Sequence, residues 1–242
     1  RQRQMCIRDS YRTRFIRDHD PLISIIIPNK DHIDDLKRCM DSIDKKSTYQ
    51  NYEYIIVENN STDDKTFAYY KELEASNPKA HVVYWDREFN YSAINNYGAS
   101  FAKGEYILLL NNDTEIINDD CLEELLGYCM RSDVGAVGAR MYYEDDTIQH
   151  AGVVIGFGGI AGHCFVLQPR GTTGYCHRII CAQDYSAVTA ACMMVKKEAF
   201  DKVEIGKGVI PQDELLSKRL PEMPSALVPI IEEIWAEEVV GK

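Results

Sequence analysis

The chain has 242 residues and a formal net charge of -11, from 27 Lys and Arg against 38 Asp and Glu. This length accommodates one α/β domain with short appendages, and 45% hydrophobic residues are enough for a core, which excludes disorder along the whole chain. An acidic protein repels a phosphate backbone, so no nucleic-acid partner is expected.

The spacing of the cysteines and the length of the apolar runs indicate the cellular compartment of the protein. Eight cysteines occur without a C-x-x-C pair, which favours a reducing setting and no zinc site. We find no signal peptide and no apolar run of about 18 residues, the length of a membrane span. We therefore expect a cytoplasmic protein, with peripheral contact at the inner face of the membrane as the further expectation.

The two ends differ from the middle in composition. Residues 1–20 hold six Arg and three Asp, and the run at 5–10 resembles a translated sequencing adaptor. We expect residues 1–20 to be a disordered or artefactual lead. Residues 204–242 are punctuated by Pro and then become Glu-rich, which predicts an atypical helical tail of uncertain origin. The expected domain therefore covers residues 21–203.

Strands and helices alternate along the first half of this domain. Apolar, β-branched runs predict buried strands at 22–28, 54–57, 81–85 and 106–110. Helical spacing and caps predict helices from residue 33, from the 59–64 turn to 76, from a Ser92 cap to 103, and over 120–131. This alternation predicts an α/β fold with a Rossmann-like, mostly parallel sheet and helices on both faces.

The pattern changes from about residue 134, where Gly becomes dense and the apolar runs shorten. This composition predicts a smaller half rich in hairpins and loops, which we expect to shape a second substrate site. A buried strand at 187–195 and a helix at 196–202 follow.

Carboxylates follow three of the predicted strands. Asp31 comes after the first strand, Glu58 begins a polar turn after the second, and Asp113 comes after the fourth. Ligands of parallel α/β sheets bind beyond the carboxyl ends of the strands. We therefore expect these acids to contribute to one shared polar site.

The chain resembles the family-2 glycosyltransferases, which have the nucleotide-sugar-binding GT-A fold. The similarity spans residues 20–203 and rests on six segments: SIIIP at 24–28, VENNSTDD at 57–64, YSAINNYGA at 91–99, AKGEYILLLNNDTE at 102–115, VGAVG at 134–138 and IQHAG at 148–152. The last segment resembles the branch with rhamnosyltransferase-like enzymes of bacterial surface polysaccharide synthesis. The resemblance implies an inverting, metal-dependent enzyme that transfers a sugar from a UDP- or dTDP-sugar to a glycan or lipid-linked acceptor, here as a truncated domain.

The resemblance also implies roles at the donor side. Glu58 matches the acid that recognises the nucleotide, and Asp31 matches a neighbouring contact to the uridine or thymidine. Asp113 matches the last acid of the D-x-D motif that binds Mg²⁺ or Mn²⁺, although this chain has Asn-Asn-Asp there. The further donor-site residues that the resemblance implies are Pro28, Asn60, Asn96 and Asn112.

The acceptor side and the catalytic base have weaker signals. His150 is expected to face the acceptor or the diphosphate, and a structural role is the alternative for a His in a Gly-flanked loop. An inverting enzyme needs a carboxylate base. The chain departs from the family pattern after residue 203, where Asp213 is the candidate base and a simple acidic helix start is the alternative.

Two other functions stay open at this point. A catalytically incomplete, nucleotide-binding fragment or chimera would account for the missing base segment. A nucleotidyltransferase has a similar sheet, but the Gly-rich, basic phosphate loop typical of that class is absent after the first strand, where the chain has Asn29, Lys30 and Asp31.

Overall fold

The computed structural model describes residues 14–157 and 161–202. They belong to two compact units: a sheet unit formed by residues 14–138 and 190–202, and a hairpin unit formed by residues 139–157 and 161–189. The predicted tail at 204–242, the candidate base Asp213 and most of the predicted lead lie outside the described residues.

The sheet unit is built on six strands. Their bounds are β1 Ile23–Asn29, β2 Tyr52–Asn59, β3 Ala80–Trp85, β4 Tyr106–Leu110, β5 Ala136–Gly138 and β10 Cys192–Lys196. They are ordered β3-β2-β1-β4-β10-β5. β1 pairs in parallel with β2 and β4, β2 pairs in parallel with β3, and β10 runs antiparallel to β4 and β5. The predicted mostly parallel α/β sheet is confirmed.

Helices cover both faces of this sheet. Their bounds are α1 Ile33–Lys46, α2 Asp64–Ser76, α3 Tyr91–Ala99, α4 Cys121–Cys129 and α5 Lys197–Lys202. On one face Ile94 of α3 joins the buried core formed by Ile26 and Val57. Because successive strand side chains point to opposite faces, Tyr54 lies on the other face, where its hydroxyl donates to Asp44 Oδ1 of α1.

Close packing of α3 on the sheet explains a glycine in its motif. A Cβ at Gly98 would lie 2.6 Å from Ile26 Cγ2 and 2.7 Å from Val57 Cγ2. The missing side chain therefore lets the last turn of α3 approach β1 and β2 closely.

Several predicted boundaries are wrong in detail. The cap of α3 is Asn90, whose side chain accepts the Ala93 N–H, and not Ser92. This helix ends at Ala99 and does not continue to residue 103. The strand predicted at 187–195 begins only at Cys192, because Ala187 instead forms a bridge with Val153.

Residues 14–20, which the sequence placed in the lead, contact α4. Arg14 forms ion pairs with Asp120 and Glu124. The Phe15 and Tyr128 rings meet edge to face with centroids 4.9 Å apart. The described part of the lead therefore packs within the sheet unit.

The hairpin unit has the short strands that its glycines predict. They are β6 Met141–Tyr142, β7 Ile148–His150, β8 Val153–Ile155 and β9 Ala161–His163, paired as two antiparallel ladders, β6 with β7 and β8 with β9. Across the described ranges, none of the helices has the length and apolar content that a membrane span requires.

Candidate active site

The carboxyl ends of β1, β2 and β4 bring the predicted donor-site residues to one edge of the sheet. Asn29, the last residue of β1, is paired in register with Glu58 of β2. On its other side, Asn29 Oδ1 accepts a hydrogen bond from Asn112 Nδ2 at 2.7 Å. The sheet therefore places the predicted nucleotide acid and the predicted metal motif on either side of Asn29.

Glu58 is almost fully buried, with 2% of its surface exposed. Its carboxylate accepts the backbone N–H and the hydroxyl of Ser61, the latter at 2.6 Å. It also accepts the Tyr70 hydroxyl at 2.9 Å. A carboxylate has about four acceptor sites, so these three donors use most of them. Glu58 thus holds the turn after β2 against α2.

Asp31 is committed to the same turn. Its carboxylate accepts the backbone N–H groups of Thr62 at 2.9 Å and Asp63 at 3.0 Å, and the Thr62 hydroxyl at 3.2 Å. The hydrogen bond from the Asp63 N–H is the largest cause that lowers the pKa of Asp31 below its ordinary value. Asp31 itself has a φ of 57°, in the left-handed region that short polar residues tolerate.

Asn60 and Pro28 complete the predicted set around this turn. Asn60 is exposed, has a φ of 54°, and donates through Nδ2 to the Arg87 carbonyl at 2.6 Å. Pro28 is the next-to-last residue of β1 and is paired in register with Val57. Asn60 therefore joins the turn after β2 to the segment that follows β3.

The three residues of the Asn-Asn-Asp motif after β4 differ in their hydrogen bonds. Asn111 Oδ1 accepts the Tyr91 hydroxyl at 3.3 Å. Asn112 donates to Asn29, as described above. Asp113 is exposed, and among residues 14–157 and 161–202 its carboxylate has no hydrogen bond or ion pair. Asp113 is the member of the motif that is available to a ligand.

The side-chain oxygens of this motif suit a divalent cation only if a bound ligand supplies further oxygen atoms. Within the described residues, no group of three or more His, Cys, Asp or Glu side chains is placed to hold a metal ion. Asp113 supplies one carboxylate, and Asn112 an amide carbonyl oxygen. Hard cations such as Mg²⁺ prefer oxygen ligands and keep several waters or phosphates. The residues therefore fit a cation that is bound together with a diphosphate.

Asn96 lies on α3, and its Oδ1 is buried with no hydrogen-bond partner in the part of the chain that the structure describes. The same holds for Oδ1 of Asn95. The contact from α3 to the end of β4 is made instead by Tyr91, through Asn111. The assignment of Asn96 to the donor site stays a prediction.

His150 belongs to the hairpin unit and is 2% exposed. Its Nδ1 is 2.9 Å from His163 Nδ1, and its Nε2 accepts the backbone N–H groups of Gly152 and Thr189 at 3.3 and 3.4 Å. Burial, followed by the neighbouring His163, lowers the pKa of His150 to about 4, so the ring is neutral near pH 7. These contacts give His150 a place within its own unit, and its role toward an acceptor stays a prediction.

Sequence reasoning missed the side chains that connect the predicted ones. Asn29, Tyr70 and Tyr91 were given no role, although each hydrogen-bonds a residue of the candidate site or its motif. Asn29 could have been found from its position between Pro28 and the turn. Tyr70 has no such signal, because a tyrosine on the inner face of a helix is usually packed in the core.

The model of the family described as glycosyl transferase family 2 matches residues 24–203. The chain belongs to this family. The match confirms the resemblance that the strand-end motifs carried, and it assigns the chain to glycosyltransferases rather than to the nucleotidyltransferases considered above.

Individual relatives are similar over most of the chain. The protein y4gI of Sinorhizobium fredii is 44% identical over 194 residues, and the O-antigen biosynthesis protein RfbC of Myxococcus xanthus is 39% identical over 195 residues. Each match covers 80% of this chain but only 21% and 15% of those proteins, so the chain spans a small part of their length. The glycosyltransferase GlyG of Streptococcus pneumoniae is 25% identical over 88% of this chain and 69% of its own.

Among solved structures, the mannosyltransferase PcManGT of Pyrobaculum calidifontis, in complex with GDP-Man and Mn²⁺, aligns with a TM-score of 0.49 and 17% identity. The alignment covers 60% of this chain and 42% of the mannosyltransferase.

Proposed function

We propose that the sheet unit binds a nucleoside-diphospho-sugar, as a UDP- or dTDP-sugar, and transfers the sugar to a hydroxyl of a glycan or lipid-linked acceptor in bacterial surface polysaccharide synthesis. Membership of glycosyl transferase family 2 supports the reaction class. Similarity to an O-antigen biosynthesis protein supports the setting.

One observation carries this proposal: the state of Asp113. Its carboxylate is exposed and has no partner among the described residues, although Asn29, Glu58 and Asn112 at the same sheet edge all have partners. An exposed acid held beside an ordered polar edge can bind a ligand without first breaking contacts of the fold. In a glycosyltransferase domain, the ligand with matching chemistry is a cation bound to the diphosphate.

The residues would divide the work as follows. Asp113, with the carbonyl oxygen of Asn112, would hold Mg²⁺ or Mn²⁺. When bound, the cation neutralises the charge that develops on the diphosphate leaving group. Glu58 and Asp31 would keep the turn after β2 in the conformation that accepts the nucleotide. Inversion needs a base that removes the acceptor proton, and Asp213 stays the candidate for it.

The test is calorimetric titration of the full chain with UDP- and dTDP-sugars, with Mn²⁺ and with EDTA. We expect donor binding that Mn²⁺ strengthens and EDTA weakens. Failure of both donors to bind at millimolar concentration would contradict the proposal. Donor binding without sugar transfer to any acceptor, in wild type and in Asp213→Asn alike, would favour the alternative of a nucleotide-binding fragment.

A further inference from the structure

A continuous line of hydrogen bonds joins the ends of β4, β1 and β2. Asn112 Nδ2 donates to Asn29 Oδ1 at 2.7 Å, and Asn29 Nδ2 donates to the Tyr70 hydroxyl at 2.8 Å. The Tyr70 hydroxyl then donates to Glu58 Oε2 at 2.9 Å. Asn29, Tyr70 and Glu58 are buried, and Asn112 is half-buried beside Asp113. We call these four residues the amide relay.

The chemistry of these four side chains allows the hydrogen bonds of the amide relay to run in only one direction, with each donor facing toward Glu58. The Glu58 carboxylate accepts hydrogen bonds and donates none, so the Tyr70 hydroxyl must donate to it. Burial raises the pKa of the Tyr70 phenol above its ordinary value, which keeps this proton on the oxygen. The Tyr70 oxygen then acts as an acceptor. Asn29 must therefore turn its nitrogen toward Tyr70.

The same reasoning determines which atoms form the hydrogen bond between Asn29 and Asn112. Because the nitrogen of Asn29 faces Tyr70, its carbonyl oxygen faces Asn112. Asn112 can satisfy that oxygen only with its own nitrogen. Its carbonyl oxygen is thereby left outside the relay. The orientation of this amide follows from a buried carboxylate three hydrogen bonds away.

We propose that Asn29 and Tyr70 are positioning residues, which orient the Asn112 amide so that its carbonyl oxygen joins Asp113 in holding a divalent cation with a nucleoside diphosphate. This inference rests on the proposed function. An amide free to rotate would present its nitrogen, a hydrogen-bond donor that cannot ligate a cation, for part of the time. Groups that orient a metal ligand commonly matter almost as much as the ligand.

A double-mutant cycle tests whether Tyr70 acts through Asn112. Mn²⁺ binding is measured on the full chain with saturating UDP, and again with dTDP, by loss of the electron paramagnetic resonance signal of free Mn²⁺. Tyr70→Phe is expected to weaken Mn²⁺ binding about tenfold, at the low end of the effect of removing a group that orients a metal ligand. In an Asn112→Ala background, Tyr70→Phe is expected to change it less than about twofold.

Tyr54 supplies a matched control for the loss of a buried hydroxyl. Like Tyr70, it is fully buried, and its hydroxyl donates to a carboxylate, Asp44 Oδ1, at 2.8 Å. It lies near the start of β2, at the opposite end from Glu58. Tyr54→Phe is expected to lower the free energy of unfolding much as Tyr70→Phe does, and to leave Mn²⁺ binding unchanged.

The orientation can also be followed without any ligand. The side-chain amide protons of Asn112, assigned in NMR spectra by their loss in Asn112→Ala, are expected to exchange slowly in the wild type. Exchange should become faster in Tyr70→Phe and equally in Asn29→Ala. The Asn29 variant keeps the test available if Tyr70→Phe does not fold.

The outcomes separate the inference from the function on which it rests. A wild type that binds Mn²⁺ with neither UDP nor dTDP overturns both. If the wild type binds, the inference alone is overturned by equal effects of Tyr70→Phe in the two backgrounds. The same holds if Tyr70→Phe and Tyr54→Phe bind Mn²⁺ equally well, or if neither Tyr70→Phe nor Asn29→Ala changes Asn112 exchange.

Discussion

Two acids at the same edge of the sheet, Glu58 of β2 and Asp113 after β4, are in opposite states. Glu58 is buried and accepts three hydrogen bonds from Ser61 and Tyr70. Asp113 is exposed and has no partner among the residues that the structure describes. Similar positions at strand ends thus give different chemistry. Glu58 maintains the shape of the edge, and Asp113 is available to bind a ligand.

A second acid on β2 shows what is particular to Glu58. Glu53 is also buried, and its carboxylate accepts the Ser24 hydroxyl at 2.7 Å and the Lys103 N–H at 2.9 Å. Both acids therefore satisfy buried donors and stabilise the fold. Only Glu58 is connected, through Tyr70 and Asn29, to the motif that contains Asp113.

Removing the Asp113 carboxylate should produce the largest effect on donor binding. If Asp113 holds the cation as proposed, Asp113→Asn is expected to reduce donor binding in the presence of Mn²⁺, and sugar transfer, by about 100-fold or more, since the charge of the ligand is lost. The midpoint of urea unfolding should stay unchanged, because no contact of the fold disappears. Glu105→Gln is the control, an exposed acid just before the other end of β4. Equal losses of donor binding in the two variants would refute the role of Asp113.

Glu58→Gln should show the reverse distribution of effects. The amide has one acceptor oxygen in place of two, so a buried donor loses its partner, and we expect about 1–3 kcal/mol less free energy of unfolding. Donor binding should also weaken, because the turn after β2 loses its anchor. Glu53→Gln is expected to destabilise by a similar amount while donor binding stays at the wild-type level. Denaturant unfolding and calorimetric donor titration of both variants measure these effects. Equal donor affinities of Glu58→Gln and Glu53→Gln would contradict a particular role of Glu58 in donor binding.

The sequence could predict the strand-end acids but not the states in which they occur. Apolar runs and caps are local signals, and they were enough for the parallel strands and for the edge where Asp31, Glu58 and Asp113 gather. The difference between Glu58 and Asp113 depends on Tyr70, which is 12 residues from Glu58 and 41 from Asn29. Such contacts depend on how α2 packs on the sheet, and no local pattern contains that information.

Asp31 is half-buried, between the buried Glu58 and the exposed Asp113. The pH dependence of unfolding measures what its charge contributes to stability. Its pKa is lowered in the folded state, so its ionised form stabilises the fold above the ordinary value of 3.8, and this contribution is lost as the pH falls through the lowered value. Asp31→Asn should therefore be less stable than the wild type at neutral pH, and the two should converge in strong acid. Urea unfolding at several pH values measures the difference. A gap between the two curves that persists in strong acid would mean that the hydrogen bonds to Thr62 and Asp63 stabilise without the charge.

The smallest expected effect concerns Asn60, which tests whether the turn after β2 serves only Glu58 or the ligand as well. Asn60→Gly keeps the left-handed backbone at a φ of 54° and loses only the hydrogen bond to the Arg87 carbonyl, a cost of about 1 kcal/mol. Asn60→Ala adds about 1 kcal/mol of backbone strain. We expect this strain to displace Ser61, and with it two of the donors to Glu58. If the turn shapes the nucleotide site, donor binding should weaken in Asn60→Ala more than in Asn60→Gly. If the two variants bind the donor equally but differ in free energy of unfolding, the turn contributes to stability and not to donor binding.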